Sequence, residues 1–266
     1  MTGRREYRAG RRLIGDRHEE RMREVANAMR CAAIFNAGLL ALLAACDVAL
    51  AAEAEEKRWS ASVTLVSDYR SRGISESWGE AALQGLVGYE HPSGWYAELE
   101  SSQVSSVLYP GANVELDFVA GYGHKFANGM GINTGLVRYT YPGSEGHDGA
   151  SGYFGISWRA LTVRYTRWIL GGVRGSEYLE VNAVFDLGGD WKLGLHAGTR
   201  TFRDEPEAGY SDWRASLAKA FGKTTVGIFY TNTDADRELY SVHDASGTRV
   251  RQIAGPASVA WISRSF

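Results

Sequence analysis

The spacing of the connections between strand-like segments constrains the fold of this chain more than any other feature of its sequence. Twelve short segments of alternating polar and apolar character follow one another from Trp59 to Phe266, and their connections are alternately short and long. The short connections are rich in Gly, Asn, Asp or Pro, as tight turns require, and span residues 90–94, 125–131, 159–160, 188–190 and 222–223. The long connections span residues 72–80, 102–112, 142–149, 171–175, 201–209 and 233–255.

A soluble β-sandwich or a lipocalin has no physical reason to sort its loops by length. A transmembrane barrel does, because its periplasmic turns are short and its external loops are long. The alternation therefore predicts an all-β fold: an up-and-down antiparallel transmembrane β-barrel of about twelve strands in the bacterial outer membrane, with both chain termini of the barrel in the periplasm.

The residue pattern inside the segments supports this fold. In the fourth segment Leu116, Phe118 and Ala120 alternate with polar residues such as Glu115 and Asp117, which is the period of a strand with one lipid-facing side. Each segment has about nine to eleven residues, enough for a tilted strand to cross a bilayer. Aromatic residues near the connections are predicted to form interfacial girdles: Trp59, Trp95, Tyr109, Tyr141, Trp158, Trp191 and Trp213.

The first 51 residues differ from the rest. Residues 31–45 are apolar apart from Asn36, and Ala49-Leu50-Ala51 resembles a signal-peptidase site. We interpret residues 1–51 as an N-terminal extension plus a signal peptide cleaved near Ala51, and residues 52–266 as the barrel. One alternative is a transmembrane anchor, for which the apolar segment 31–45 is short. Another is a lipoprotein whose leader peptide is cleaved just before Cys46.

Composition excludes several functions for residues 52–266. Both cysteines, Cys31 and Cys46, precede this segment, so no disulfide or cysteine metal site is available to it. Removing residues 1–51 takes away nine Arg and six acidic residues, which leaves 20 basic and 25 acidic residues and changes the formal charge from -2 to -5. This balance argues against a nucleic-acid-binding surface.

Charged residues on the inward side are candidates for lining a pore. If Ala61, Val63 and Leu65 face lipid, the polar residues that follow point inward at the outer end of strand one. The full set of candidates is Asp68, Arg70, Arg72, Glu98, Glu100, Glu115, Asp117, Arg164, Glu180, Lys192, Arg200 and Arg214. Acidic residues from strands three and four would face basic residues from strands seven, nine and ten. The electric field between these two sides would orient dipolar or zwitterionic solutes. Alternatively, the charged residues of opposite walls pair with each other and plug the lumen.

No catalytic residue, metal or cofactor is predicted. His91 and Ser93 are suitable residue types for a barrel-wall hydrolase, but they lie in a predicted periplasmic turn. The last two long connections are acidic and could bind a cation, although solvated loop tips are the favoured interpretation.

The segment from Ser67 to Ser75 resembles the uncharacterised proteobacterial family of TorF-family putative porins. Further similarities lie at residues 91–97, 115–117, 139–143, 178–180 and 263–266. Ser71 departs from the family pattern, which has an aromatic residue there, and Arg264 replaces a common Lys. The resemblance implies an outer-membrane location and a passive channel, without a particular solute.

We therefore predict a narrow outer-membrane porin for small polar or charged solutes. Its partners would be outer-membrane lipid, those solutes and the barrel-assembly machinery, which would engage the last strand ending in Phe266. A non-conducting barrel with loop-mediated binding or adhesion is the first alternative, and the hydrolase is the second.

Overall fold

The computed structural model describes residues 58–266, which form a closed barrel of twelve antiparallel strands. In chain order these strands are β1 (Trp59–Val66), β2 (Ala82–Glu90), β3 (Trp95–Gln103), β4 (Val114–Lys125), β5 (Met130–Thr140), β6 (Gly149–Trp158), β7 (Leu161–Leu170), β8 (Glu177–Gly188), β9 (Trp191–Thr201), β10 (Tyr210–Phe221), β11 (Thr224–Thr233) and β12 (Ala257–Ser265). Each strand pairs with its sequence neighbours, and β12 pairs with β1. The predicted all-β, up-and-down barrel is confirmed. The interpretation of residues 1–51 lies outside the described residues.

The connections alternate in length as predicted. Five tight turns lie at one end of the barrel, here called the turn end, and span residues 91–94, 126–129, 159–160, 189–190 and 222–223. Loops 1 to 6 lie at the other end, the loop end, and span residues 67–81, 104–113, 141–148, 171–176, 202–209 and 234–256. Two of the tight turns need left-handed residues, which Arg159 (φ 55°) and Asp190 (φ 65°) supply.

The outer surface of the barrel is apolar. Leu136, Leu179 and Ile228 are more than half exposed, and many other Leu, Val, Ile and Phe side chains are exposed around the ring. A soluble protein does not present so continuous an apolar surface, whereas a barrel in lipid requires it. Trp59 and Trp95 are also exposed near the turn end, where an aromatic girdle is expected. The protein is therefore an outer-membrane β-barrel. Within residues 58–266, no helix is long and apolar enough to cross a bilayer.

Two aromatic residues predicted for the girdles are elsewhere. Tyr109 and Tyr141 lie in loops 2 and 3, where their rings stack with centroids 4.3 Å apart and line the lumen. Their hydroxyl groups donate hydrogen bonds to Glu76 and Glu115. The prediction for these two tyrosines was wrong because an aromatic residue near a strand end can turn either toward lipid or toward the lumen.

The barrel closes between its first and last strands. Leu65 pairs with Ile262 across this seam, and the hydroxyl of Thr64 donates a 2.8 Å hydrogen bond to Ser263. The backbone N–H of Phe266 donates to the carbonyl of Ala61 at 3.0 Å. Closure satisfies the backbone groups that an open edge would expose to lipid.

Candidate functional site

Loop 1 folds back into the lumen instead of extending away from it. A small hairpin within this loop pairs Arg70–Ser71 with Ile74–Ser75. Its tip is formed by Arg72 (φ 51°) and Gly73 (φ 79°), the pair of left-handed residues that defines a tight hairpin turn of type I′. Strand one was predicted to carry Asp68, Arg70 and Arg72, but β1 ends at Val66, so this placement was wrong.

A buried ion pair stabilises the hairpin. Arg70 Nε lies 2.6 Å from Asp68 Oδ2, and the Ser75 hydroxyl donates a 2.5 Å hydrogen bond to Asp68 Oδ1. Arg70 also donates to the carbonyl of Gly255, in loop 6, at 2.8 Å. Because both charges are buried and fully engaged, Asp68 and Arg70 fix the shape of loop 1.

The tip of the hairpin reaches the far wall of the barrel. The Arg72 guanidinium lies 4.6 Å from the ring centroid of Trp168 on β7, and β7 stands six strands from β1 in either direction around the ring. At Gly73, a Cβ atom would come within 2.5 Å of the Thr233 side chain and 2.9 Å of Asp212 Cβ. The Arg72 side chain therefore spans the lumen, and glycine is required where the hairpin tip touches the β10–β11 part of the wall.

Two apolar clusters hold the loop in this position. At the loop end, Ile74 and Trp78 of loop 1 pack with Tyr210, Ile253 and Ala254. On the inner wall near the seam, a second cluster packs against Tyr69; its buried members are Val66, Ala82, Phe229 and Val259. The open space is consequently displaced toward the other side of the barrel.

The main cavity, of about 760 Å³, runs beside loop 1. Its lining extends from Arg58 and Glu90 at the turn end to His147 and Val173 at the loop end. Eight of the predicted pore-lining residues line it: Arg72, Glu98, Glu100, Glu115, Asp117, Arg164, Glu180 and Arg200.

The remaining four candidates lie elsewhere. Arg70 and Arg214 line a separate cavity of about 180 Å³ on the β8–β11 side. Asp68 is buried inside loop 1 and lines neither cavity. Lys192 is exposed near the turn end of β9 and also lines neither.

Acidic and tyrosine side chains occupy one side of the main cavity. Glu115 on β4 accepts a 3.1 Å hydrogen bond from the Tyr69 hydroxyl and a second bond from Tyr141. Glu76, in loop 1, accepts one from Tyr109. Burial, reinforced by the neighbouring Glu115 carboxylate, raises the pKa of Glu76 to about 7. Sequence reasoning missed Glu76 because its segment was interpreted as an external loop.

Arginine and aromatic side chains occupy the opposite side. Arg72 and Arg200 both lie over the Trp168 ring, at 4.6 and 4.4 Å from its centroid, and Arg164 lies 4.9 Å from the Tyr153 centroid. Cation–π contacts of this kind hold a guanidinium in place without neutralising it. Within residues 58–266, none of these three arginines has a carboxylate within 4.0 Å. The three arginines thus face the Glu115 and Asp117 side of the cavity without a close carboxylate partner, although Glu180 on β8 lies on their own side, opposite Arg164 in the strand register.

His196 belongs to a hydrogen-bonded network on the β8–β10 wall. Its Nε2 lies 2.9 Å from both Asp212 Oδ1 and the Tyr178 hydroxyl, and its Nδ1 lies 2.8 Å from Asn182 Oδ1. This network fixes the imidazole against the wall.

The residues considered for catalysis or metal binding lie away from the main cavity or apart from one another. His91 Nδ1 and the Ser93 hydroxyl are 2.7 Å apart in an exposed tight turn at the turn end, and Ser93 N–H also donates to His91 Nδ1 at 3.2 Å. Within the described part of the chain, no group of three or more His, Cys, Asp or Glu side chains is arranged to hold a metal ion.

The closed ring, its apolar exterior and its polar lumen define a porin-like outer-membrane β-barrel. The chain belongs to a bacterial family of unknown function, Gcw_chp, whose sequence model matches residues 51–266. A comparison with curated proteins finds no match.

Two solved structures have the same fold. The KdgM porin has a TM-score of 0.53 and 12% identity, with 78% of this chain and 99% of that chain covered. The NanC porin has a TM-score of 0.51 and 14% identity, with 77% and 98% covered. At such low identity the similarity concerns the fold alone.

Proposed function

We propose that this protein is a passive diffusion channel for small polar or charged solutes. The main observation in favour is the polar cavity whose lining reaches both ends of the barrel beside loop 1. A channel needs a continuous polar passage through an apolar-faced wall. The resemblance to TorF-family putative porins supports the same proposal at the level of sequence.

We assign the pore wall to the eight predicted pore-lining residues that line the main cavity, together with Glu76. The lining of that cavity contains eight carboxylates and four arginines. Because carboxylates predominate, the channel should prefer cations to anions of the same size. Loop 1 would form its narrowest part, and Asp68 and Arg70 would hold that loop in place.

The test is single-channel recording in planar bilayers, with protein expressed as the full chain and purified from outer membranes. Steady unitary currents, with a reversal potential that favours the cation in a salt gradient, are expected. A folded, heat-modifiable barrel that carries no current would refute the channel and favour a loop-mediated binding role.

We also propose that residues 1–51 are removed during export and that the barrel-assembly machinery engages the strand ending in Phe266. The apolar segment and the Ala49-Leu50-Ala51 site support the first proposal, and the match to the family begins at residue 51. N-terminal sequencing of the outer-membrane form should begin near Ala52; retention of residues 1–51 would contradict it. Deleting Phe266 should reduce the amount of assembled barrel.

A further inference from the structure

We infer that the main cavity selects small zwitterions, solutes that carry an ammonium group and a carboxylate, over equally small solutes with one charge or none. The inference rests on the proposed channel function and specifies its substrate class. It is carried by the excess of carboxylates on the β3–β4 side of the cavity and of arginines on the opposite side, where Glu180 is the one cavity-lining carboxylate in the described strands β7 to β9.

The basic side offers a site for a carboxylate. Arg72 and Arg200 share the Trp168 ring, so the faces of their guanidinium groups are engaged while N–H donors at the edges remain. Arg200 lines the cavity; its buried Nε has no hydrogen bond of good geometry within residues 58–266, and its guanidinium lies close to the Tyr210 hydroxyl. The remaining N–H groups of Arg72 and Arg200 along the cavity are the donors that a solute carboxylate would bind.

The acidic side offers a site for an ammonium group. Both oxygens of Glu115 already accept tyrosine hydroxyls, so this residue supplies charge and little free acceptor capacity. Asp117, two residues along β4, differs: its Oδ1 is buried and has no hydrogen-bond partner among the described residues. Glu98 and Glu100 extend the same acidic surface from β3.

The opposition of the two sides determines the solute class. A simple cation is attracted by the acidic side and repelled by the arginines. A simple anion is attracted by the arginines and repelled by the acidic side. A zwitterion can turn so that each of its charged groups faces the opposite charge on the wall. Loop 1 supports this arrangement because it carries both Arg72 and Glu76 into the lumen.

The experiment measures uptake of four compounds of nearly equal size into proteoliposomes at zero membrane potential: alanine (zwitterion), lactamide (neutral), lactate (anion) and 1-amino-2-propanol (cation). The full chain is expressed and the purified outer-membrane protein is reconstituted. We expect alanine to enter at least about tenfold faster than lactamide and faster than both singly charged compounds. Each preparation is also tested for KCl conductance.

Variants identify the groups responsible. Arg200→Gln and Asp117→Asn should each reduce the alanine-to-lactamide ratio severalfold while KCl conductance persists. Lys223→Gln and Glu207→Gln, which make the same charge changes outside the three cavities, should leave the ratio unchanged. If Arg200→Gln does not fold, Arg164→Gln replaces it, with heat modifiability as the criterion for a folded barrel.

The outcomes separate the two proposals. An alanine rate no higher than the lactamide rate, with normal KCl conductance, would overturn the zwitterion inference and leave the channel intact. An alanine-to-lactamide ratio that is the same in Arg200→Gln and Asp117→Asn as in the wild-type protein would also overturn the zwitterion inference. Absence of KCl conductance in the folded wild-type protein would overturn the channel, and the inference with it.

Discussion

Replacing Gly73 by alanine should detach the tip of loop 1 from the barrel wall. The new Cβ would approach the Thr233 side chain to 2.5 Å and Asp212 Cβ to 2.9 Å, at a residue whose φ is +79°. A left-handed conformation costs a non-glycine residue about 1–2 kcal/mol, and overpacking costs about 1–3 kcal/mol. The docked position of loop 1 should therefore lose roughly 2–5 kcal/mol. At about 1.4 kcal/mol per tenfold change, this shifts the docking equilibrium roughly thirtyfold to several thousandfold.

The assay is single-channel conductance, since an undocked loop 1 widens the passage. The Gly73→Ala channel should have a larger and noisier unitary conductance, while the barrel keeps its heat-modifiable mobility. Gly129→Ala is the matched control: its φ is +84°, but nothing lies within 4 Å of the added Cβ. A Gly73→Ala conductance equal to that of wild type and of the control would refute the role of loop 1 as the narrowest point.

Further expectations concern pH, the lipid-facing surface and catalysis. Because the pKa of Glu76 is raised to about 7, cation preference should increase as pH rises from 6 to 8; the reversal potential of Glu76→Gln should change less over this range. The same shift means that stability falls as pH rises from about 4.5 to 7, since over this range the Glu76 carboxyl ionises in the unfolded chain but keeps its proton in the folded protein. Leu136→Arg on the lipid face should lower the unfolding free energy in vesicles by about 2–4 kcal/mol, whereas Val137→Arg in the lumen should chiefly reduce conductance; equal destabilisation would contradict the assigned faces. Ser93→Ala should leave ester hydrolysis by the purified protein at the wild-type level, and a loss would revive the hydrolase hypothesis.

The barrel could be predicted from sequence because its signals are local and repeated. Glu115 and Phe118 point to opposite faces simply because they are an odd number of residues apart on one strand. The turns at Arg159 and Asp190 are likewise short and bounded by regular strands. Many independent repetitions of one pattern define the fold even where single strand ends are misplaced.

The inserted loop could not be predicted in the same way. Its position depends on contacts with residues far away in sequence, such as the Gly255 carbonyl, the Thr233 side chain and the Trp168 ring. One local signal was available: Arg72-Gly73 between two short polar stretches fits a tight hairpin turn. Ser71, where the family pattern has an aromatic residue, lies in this loop and lines the main cavity.

Among the charged residues, some positions could be predicted from the strand pattern and others could not. Strand alternation was sufficient to place Glu98, Glu100 and Arg164 on the inner face, since these lie within regular strands. Strand alternation could not indicate that Asp68 is buried in contacts with Arg70 and Ser75 inside loop 1. Those contacts depend on a hairpin that the alternating pattern of the strands does not predict.

The contacts of loop 1 also join the first loop of the barrel to the last. Arg70 binds the carbonyl of a residue 185 positions later, and the Ser75 N–H donates to the Ile253 carbonyl. The partners of one of the earliest loops therefore emerge only when synthesis is almost complete, and contacts between such distant residues form late in folding. A chain that stops before residue 253 would lack these partners of loop 1 as well as the strand that closes the barrel.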